Sequence, residues 1–261
     1  MRLIVNEIES LAHDLRGKLS LCVRNIRGAV DLSLNEDMEV VAASTIKVPI
    51  FIEALRQVRD GVLSLDEICA VTPQLRCDGS GVLSHLHDGI EVSVRDLLTL
   101  MIIVSDNTAT NIMVDRVGMD NVNNTLRSLG YAKTRLQRKM YDWEAIAAGR
   151  DNYIVASEAA DMLARAARRE LLGKKWDEML LSTMGAQQFT ANLGLLLPEG
   201  ILANKTGQVN DAVNDCGLVT TPDFCYSIAV FTQGAKSIGE AQVTIGRISK
   251  LIYDAALSKS C

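Results

Sequence analysis

Three short motifs carry side chains suited to serine-based acyl transfer. They are Ser44-Thr45-Ile46-Lys47, Ser105-Asp106-Asn107 and Lys205-Thr206-Gly207. Each motif is weak alone, because a given tripeptide occurs by chance in roughly one chain in twenty or thirty of this length. Together and in this order they match the S-x-x-K, S-D-N and K-T-G pattern of enzymes whose serine forms an acyl intermediate. We therefore predict Ser44 as a nucleophile, with the other two motifs close to it in the fold.

Ser44 and Lys47 are spaced to act as a nucleophile and its base. On a helix, positions i and i+3 share a face, so we expect the amine of Lys47 beside the hydroxyl of Ser44. A serine hydroxyl needs a base to accept its proton. A lysine can be that base if burial, or a positive charge such as Lys205, lowers its pKa. The N–H of Ser44, at the helix start, can hold an oxyanion. The alternative is that Ser44 is a helix N-cap and Lys47 a solvated lysine of the first turn.

The second motif is expected on a loop between two helices, where it can reach into a cleft. The hydroxyl of Ser105 can pass a proton to a leaving nitrogen, and the side-chain amide of Asn107 can hold a substrate carbonyl. We expect Asp106 to bond the local backbone and fix the turn. The alternative for Asn107 is the N-cap of the following helix, which is compatible with a binding role.

The third motif is expected at the end of a strand. The ammonium of Lys205 and the hydroxyl of Thr206 suit a substrate carboxylate. Gly207 lets this strand edge approach the ligand, and the N–H of Gln208 is our candidate for a second oxyanion donor. The alternative is an ordinary lysine and turn at a strand end.

The elements that must position these motifs follow from hydrophobic periodicity and turn residues. We predict an amphipathic helix within 1–19 and a hairpin over 19–34, in which Val30 is one of the alternating apolar residues. Ser93 and Asp96 are spaced as a capping box. The remaining predicted elements are helices over about 44–59, 97–104, 108–117, 120–129, 156–172 and 240–257, and strands over 201–203, 216–220 and 225–231.

This order of elements predicts an α/β fold. An antiparallel sheet is assembled from both ends of the chain, flanked by the N- and C-terminal helices, with an all-helical lobe inserted between them. The predicted boundaries place residues 1–43 and 196–261 in the α/β lobe and residues 44–195 in the all-α lobe. The active site is expected in the cleft between the two lobes.

The stretch 19–117 resembles the class A serine β-lactamase family. The similar segments are 43–49, 79–83 and 104–111, and with the Lys205-Thr206-Gly207 motif and the terminal helix the resemblance covers essentially the whole chain. It implies a two-lobed α/β plus all-α fold with the cleft between the lobes. It also implies acylation of Ser44 by a β-lactam or by a peptide ending in D-Ala-D-Ala, with no metal and no other cofactor.

The resemblance fails at the step that removes the acyl group. Class A β-lactamases carry a glutamate two residues after an arginine, and this glutamate activates the deacylating water. Arg138 and Asp151 resemble the residues that close this loop, but Met140 stands at the glutamate position and cannot act as a base. We predict Glu144 as a substitute, with Asp142 as the shorter alternative; otherwise both are ordinary loop acids. Without a base the protein would be a slowly deacylating D,D-peptidase or esterase, or a β-lactam sensor that is acylated once.

Composition excludes several other classes of function. The hydrophobic and charged fractions, 48% and 23%, are typical of a globular protein. A net charge of −5 leaves no basic surface for nucleic acid or an anionic membrane. The longest apolar run, residues 97–104, is too short to span a bilayer. His85 and His87 are expected on a surface loop rather than at a metal. We expect a monomer.

The cysteines and the N-terminus bear on the compartment. The cysteines, which show neither a C-x-x-C pair nor metal-ligand spacing, are Cys22, Cys69, Cys77, Cys216, Cys225 and Cys261. We predict free thiols. Asn6, Glu7 and Glu9 interrupt any signal-peptide core. The chain as it stands is therefore expected in the cytoplasm, or in the periplasm or outside the cell if a leader has been removed.

Overall fold

The computed structural model describes residues 2–29 and 31–260. The elements, in chain order, are α1 (Arg2–Asp14), β1 (Lys18–Arg27), β2 (Leu32–Leu34), β3 (Val40–Val41), α2 (Lys47–Arg59), β4 (Ile68–Val71), β5 (Ile90–Ser93), α3 (Val94–Ile103), α4 (Asn107–Val117), α5 (Met119–Ser128), α6 (Trp143–Ala147), β6 (Tyr153–Ile154), α7 (Ala156–Ala167), α8 (Lys174–Gly185), β7 (Leu202–Val209), β8 (Ala212–Thr220), β9 (Cys225–Gln233) and α9 (Ile238–Ser260). A one-turn 3-10 helix, Ala43–Ile46, leads directly into α2.

A five-stranded antiparallel sheet joins the two ends of the chain. Its strand order is β2-β1-β9-β8-β7, so β7, which carries the third motif, is an edge strand. All residues but the last of β8 and of β9 are buried. Continuous burial of this kind requires both faces of the sheet to be covered.

The two faces of the sheet belong to different hydrophobic cores. Leu21 and Val23 of β1 pack with Ile245 and other residues of α1 and α9 on one face. Cys22, which lies between them and points to the opposite face, packs with Phe231 and the residues of α2–α5, α7 and α8. This alternation follows from the two-residue period of a strand. The sheet is thus the middle layer of the fold.

The predicted fold class is confirmed, together with much of the local structure. The capping box is present, since Ser93 Oγ accepts from the N–H of Asp96 at 3.1 Å and the Asp96 carboxylate accepts from the N–H of Ser93 at 2.9 Å. The turn at 221–223 closes β8 onto β9, with the N–H of Thr221 donating to the carbonyl of Phe224 at 2.9 Å. Val30 lies outside the described residues, so its place in the predicted hairpin is untested.

Several details differ from the prediction. The Lys205-Thr206-Gly207 motif lies inside β7 rather than at a strand end, because β7 continues to Val209. Within residues 44–195, β4 pairs with β5, so this segment is mainly but not entirely helical. Helix α7 ends at Ala167, before Arg169 adopts a left-handed φ of 64°. The lobe boundaries themselves remain a prediction.

The structure also bears on the cysteine thiols and on membrane-spanning helices. The cysteines with free thiols are Cys22, Cys69, Cys77, Cys216 and Cys225, as predicted, and Cys261 lies outside the described residues. Across 2–29 and 31–260, none of the helices combines the length and apolarity needed to cross a bilayer.

Candidate active site

Ser44 stands on a rigid turn at the start of α2. Ala43, immediately before it, has a left-handed φ of 48°, which an alanine adopts only under constraint. The Thr45 hydroxyl locks the turn by donating to the carbonyl of Ala42 at 2.6 Å. The Ser44 side chain is half-buried. A strained backbone conformation beside a half-buried serine is more typical of a functional site than of a side chain that only packs.

Two adjoining cavities share Ser44 as a lining residue. The large arm, about 800 Å³, is also lined by Ser105, Phe189 and Thr206. The small arm, about 520 Å³, is lined by Met140 and other residues of its loop. Ser44 therefore lies where the two arms meet.

The ammonium of Lys47 is fully buried and directed at the second motif. It donates to the Ser105 carbonyl at 2.7 Å, to Ser105 Oγ at 3.0 Å and to Asn107 Oδ1 at 2.8 Å. Burial, and then the positive charge of Lys205, hold the pKa of Lys47 well below its usual value. The predicted source of the shift is confirmed. The expected contact with the Ser44 hydroxyl is not among these three bonds, because the long side chain reaches past it to Ser105.

Lys205 approaches Ser105 from the other side. Its Nζ donates to Ser105 Oγ at 3.1 Å and to the Thr206 carbonyl at 2.7 Å. Burial lowers the pKa of Lys205 to about 8. Ser105 itself has a left-handed φ of 54°, which turns its hydroxyl between the two amines. Such strain in a non-glycine residue clusters at functional sites.

Asp106 organises the loop around Ser105. Its Oδ1 accepts from the N–H of Ala109 at 2.8 Å and caps α4, so Asp106, and not Asn107, is the N-cap. Its Oδ2 accepts from the N–H groups of Val82 and Leu83 at 2.7 and 2.9 Å. Only glycine fits at position 81, because a Cβ there would lie 2.3 Å from this carboxylate. The predicted role of Asp106 in fixing the turn is confirmed.

Asn107 is held by the protein on both ends of its amide. Its Oδ1 accepts from Lys47, and its Nδ2 donates to the carbonyl of Asp78 at 2.9 Å. One N–H of the amide is left for another acceptor. Asn107 also lines the small arm.

Gly207 brings the edge strand against the nucleophile. A Cβ at this position would lie 3.0 Å from the Ser44 nitrogen and 3.0 Å from the Ala42 carbonyl oxygen. The close approach predicted for Gly207 is thus to the backbone of the Ser44 turn. Gln208, the next residue, lines both arms, and Thr206 lines the large arm.

Asp215, a buried acid behind this strand, is a site residue that the sequence analysis did not identify. Asn204 Nδ2 lies 3.0 Å from both carboxylate oxygens of Asp215, which also accepts from the N–H of Leu193 at 3.1 Å. Burial raises the pKa of Asp215 to about 7. Asp215 is close enough to Lys205 for its charge to raise the pKa of that lysine, against the larger opposite effect of burial. An acidic residue within an apolar strand, as Asp215 is within β8, is the sequence feature that points to such a buried acid.

The loop over 138–151 does not bring the predicted carboxylates to Ser44. Glu144 is exposed on α6 and is not among the residues that line either arm. Asp142 caps α6, accepting from the N–H of Ala145 at 2.9 Å. Met140 does line the small arm. The Asn111 amide holds its backbone in place, accepting from the N–H of Met140 at 2.8 Å and donating to its carbonyl at 3.1 Å.

Arg138 and Asp151 close the neck of this loop, as the resemblance implies. Their side chains pair at 2.8 Å. Beyond the neck, Tyr141 and Trp143 line the small arm.

Comparison with known proteins gives consistent results over the whole chain. A model of the β-lactamase enzyme family matches residues 3–256. Beta-lactamase VEB-1 of Pseudomonas aeruginosa is 24% identical, over 97% of this chain and 90% of that protein. The crystal structure of a β-lactamase from Sphaerobacter thermophilus is 30% identical and superposes with a TM-score of 0.90 over 98% of this chain and 97% of that one. A mutant of PBP-A, solved as its acyl-enzyme complex with penicillin G, has the same fold at 24% identity and a TM-score of 0.90, over 99% and 97% of the two chains.

Proposed function

The chain belongs to the β-lactamase enzyme family, and we propose that it is a serine β-lactamase-like hydrolase that forms an acyl-enzyme at Ser44. The observation that carries the proposal is the convergence of Lys47 and Lys205 on Ser105 Oγ, at 3.0 and 3.1 Å, beside Ser44 in the cleft. Two buried amines with lowered pKa values around one hydroxyl are suited to proton transfer near neutral pH.

In the proposed acylation, Ser44 Oγ attacks the carbonyl carbon of the lactam and its proton passes to the neutral amine of Lys47. The N–H groups of Ser44 and Gln208 hold the oxyanion that forms. The carbon–nitrogen bond then breaks, while Ser105 Oγ gives its proton to the leaving nitrogen and receives one from Lys47. The proton taken from Ser44 thus ends on the leaving nitrogen, and Lys47 and Ser105 return to their starting states.

The substrate is oriented by groups on both sides of Ser44. Lys205 and Thr206 bind its carboxylate next to Ser105, and the remaining N–H of Asn107 binds its amide carbonyl on the other side. In this arrangement the cleft divides the lobe of residues 1–43 and 196–261 from the lobe of residues 44–195. Proposed ligands are therefore small β-lactams or peptides that end in D-Ala-D-Ala.

A second candidate is a penicillin-binding protein that deacylates slowly. It is favoured by Met140, which faces the small arm where a deacylating base is needed, and by the exposed position of Glu144 outside the arm. Asp151 lines the arm as well, but its Oδ1 is paired with Arg138. Glu144 as the deacylation base remains a prediction that its position does not favour.

One experiment separates the two candidates. The protein is mixed with a chromogenic cephalosporin and with benzylpenicillin, and absorbance and intact mass are followed together, with Ser44→Ala as the control. Sustained turnover that Ser44→Ala abolishes supports the hydrolase. A long-lived adduct on Ser44 without turnover supports the penicillin-binding protein, and no adduct with either compound contradicts both.

A further inference from the structure

Residues 41–45, hereafter the serine turn, are held in a strained conformation. Ala43 has a left-handed φ of 48°. The N–H of Ala42 donates to the carbonyl of Asn152 at 2.8 Å, and the carbonyl of Ala42 accepts from the Thr45 hydroxyl at 2.6 Å. Such a conformation persists only where the surrounding structure fixes it, so the groups that bind the serine turn determine where the nucleophile stands.

Asn214, on β8, binds the serine turn from the sheet. Its side chain is fully buried, and its Nδ2 donates to the carbonyl of Val41 at 2.8 Å and to that of Ala42 at 3.3 Å. Because both acceptors are carbonyl oxygens, only the N–H end of the amide can face them. Within the described part of the chain, these are the hydrogen bonds that join the serine turn to the five-stranded sheet.

The other end of this amide is not used. Asn214 Oδ1 is buried and has no hydrogen-bond partner among the described residues. A buried acceptor without a donor destabilises the folded state, and an apolar residue in this interior strand would avoid that cost. What the side chain adds at this position is its donor end, which reaches the serine turn.

The strand partner of Asn214 is Gly207, the residue that lies against the serine turn. Directly opposite residues of an antiparallel pair share a face of the sheet. The turn is therefore packed on one partner and hydrogen-bonded by the other. Gln208, next to Gly207, supplies one of the two proposed oxyanion donors, and Ser44 supplies the other. The distance between these donors is thus set by how the serine turn sits on β7 and β8.

We propose that Asn214 is a positioning residue for acylation, whose bonds fix the serine turn on the sheet and align Ser44 with the N–H of Gln208. Asn214 is not among the residues that line either arm of the cleft, so it acts through the turn and not on the substrate. This inference rests on the proposed acylation of Ser44 and adds a residue that supports it.

The test separates the chemical step from substrate binding. Acylation by benzylpenicillin is followed by rapid mixing and intact mass over a range of concentrations, which gives the dissociation constant of the initial complex and the rate constant of acylation. Asn214→Val, which has no side-chain N–H, is expected to lower the rate constant by about tenfold or more, because the nucleophile and an oxyanion donor are displaced. The dissociation constant should change by less than about twofold, because the groups that bind the substrate are kept.

A second variant and a pH profile accompany this measurement. Asn214→Ala removes the amide without adding a branched side chain, and it should give the same result, which covers the case in which Asn214→Val does not fold. The acidic limb of the pH profile of acylation should stay where it is in the wild type, since Lys47 keeps its bonds to Ser105 and Asn107.

Ser227→Ala is the matched control. The Ser227 hydroxyl is fully buried on β9 and donates to the carbonyl of Ala160, on α7, at 2.7 Å. It therefore joins the sheet to the helical layer, as Asn214 does, but away from the serine turn. Variants at both positions are expected to lower the midpoint of urea denaturation, whereas Ser227→Ala should keep the acylation rate constant within about twofold of the wild type.

Four results would overturn the positioning role. They are a wild-type rate constant in the folded Asn214 variants, an equal loss in Ser227→Ala, a weaker initial complex with an unchanged rate constant, and a shifted acidic limb, which would mean that Asn214 acts through Lys47. In each case acylation of Ser44 itself would stand. If benzylpenicillin does not acylate the wild type, the proposed function fails and the positioning role fails with it.

Discussion

Lys47 and Lys205 direct their ammonium groups at one hydroxyl, that of Ser105, from a helix on one side and a sheet edge on the other, at 3.0 and 3.1 Å. Both side chains are fully buried. Two positive charges in so small a buried volume repel each other, and burial disfavours each of them separately. One of the two ammonium groups therefore loses a proton easily. A neutral amine can accept the proton of a serine nucleophile, and a proton so accepted can pass to a leaving nitrogen.

Replacement of Lys205 should change the pH dependence of acylation. Lys205 is the second cause, after burial, of the lowered pKa of Lys47. In Lys205→Met the pKa of Lys47 is expected to rise, so the neutral amine, and with it acylation, appears only at higher pH. The measurement is the rate of Ser44 acylation by benzylpenicillin between about pH 5 and pH 9. Lys205→Arg, which keeps a charge, is the control, and an unshifted acidic limb in Lys205→Met would contradict the coupling.

Gly207→Ala should impair the site more than the fold. The new Cβ would lie 3.0 Å from the backbone nitrogens of Ser44 and Thr45, and backbone atoms cannot move aside cheaply. We expect about 1–3 kcal/mol less stability and an acylation rate at least about tenfold lower as the edge strand shifts from Ser44. Gly239→Ala is the matched control, because its Cβ meets nothing within 4 Å on α9. Wild-type acylation in Gly207→Ala would show that the close approach is not needed.

A carboxylate at position 140 should speed deacylation. Asn111 holds the backbone of Met140 on both sides, and the residue lines the small arm. Met140→Glu is expected to shorten the life of the Ser44 adduct by about tenfold or more, which a single-turnover experiment followed by intact mass measures. Glu144→Gln is expected to leave that lifetime unchanged. A longer-lived adduct in Glu144→Gln would show that Glu144 takes part in deacylation.

The buried acid behind β7 should make stability depend on pH. Burial raises the pKa of Asp215 to about 7, against a usual value of 3.8. The folded protein thus binds a proton that the unfolded chain has released, and the contribution of this group to the free energy of unfolding falls as the pH rises from about 4 to about 7. Asp215→Asn removes this dependence.

Urea denaturation at pH 5 and pH 8 measures the effect. The free energy of unfolding of Asp215→Asn, relative to the wild type, should be higher at pH 8 than at pH 5 by about 1 kcal/mol or more. The same difference at both values would mean that Asp215 is ionised throughout. Titrating groups that do not interact with Asp215 cancel to first order in this comparison, whereas Lys205, whose pKa is raised by the Asp215 charge, does not.

Loss of the Asp106 carboxylate should destabilise the loop that carries Ser105. Asp106→Ala leaves the N–H groups of Val82, Leu83 and Ala109 without their acceptor. We expect a loss of about 2–4 kcal/mol in urea denaturation. Asp142→Ala, which removes a single cap bond on the exposed α6, should cost about 1 kcal/mol. Equal losses in the two variants would argue against the bridging role of Asp106.

Local features of the site were predictable from the sequence. The capping box, the turn at Asp106, the start of α2 near Ser44 and the glycine needed at position 207 depend on residues within a few positions of each other, or on the backbone freedom of one residue. The order of the predicted helices and strands implied an antiparallel sheet built from both ends of the chain, and the structure has this sheet. Such features are governed by short-range sterics and hydrogen bonding, which the local sequence encodes directly.

Only the tertiary structure decided which groups meet. Lys47 and Ser105 are 58 positions apart, and Ser105 and Lys205 are 100 apart. A lysine side chain has enough rotatable bonds to reach several partners, and packing, not spacing, directed Lys47 to Ser105 rather than to Ser44. Packing also turned Glu144 outward, buried Asp215 behind β7 and brought Tyr141 and Trp143 to the small arm. Burial and long-range contact follow from how the layers close on one another, and no local stretch of the sequence contains that information.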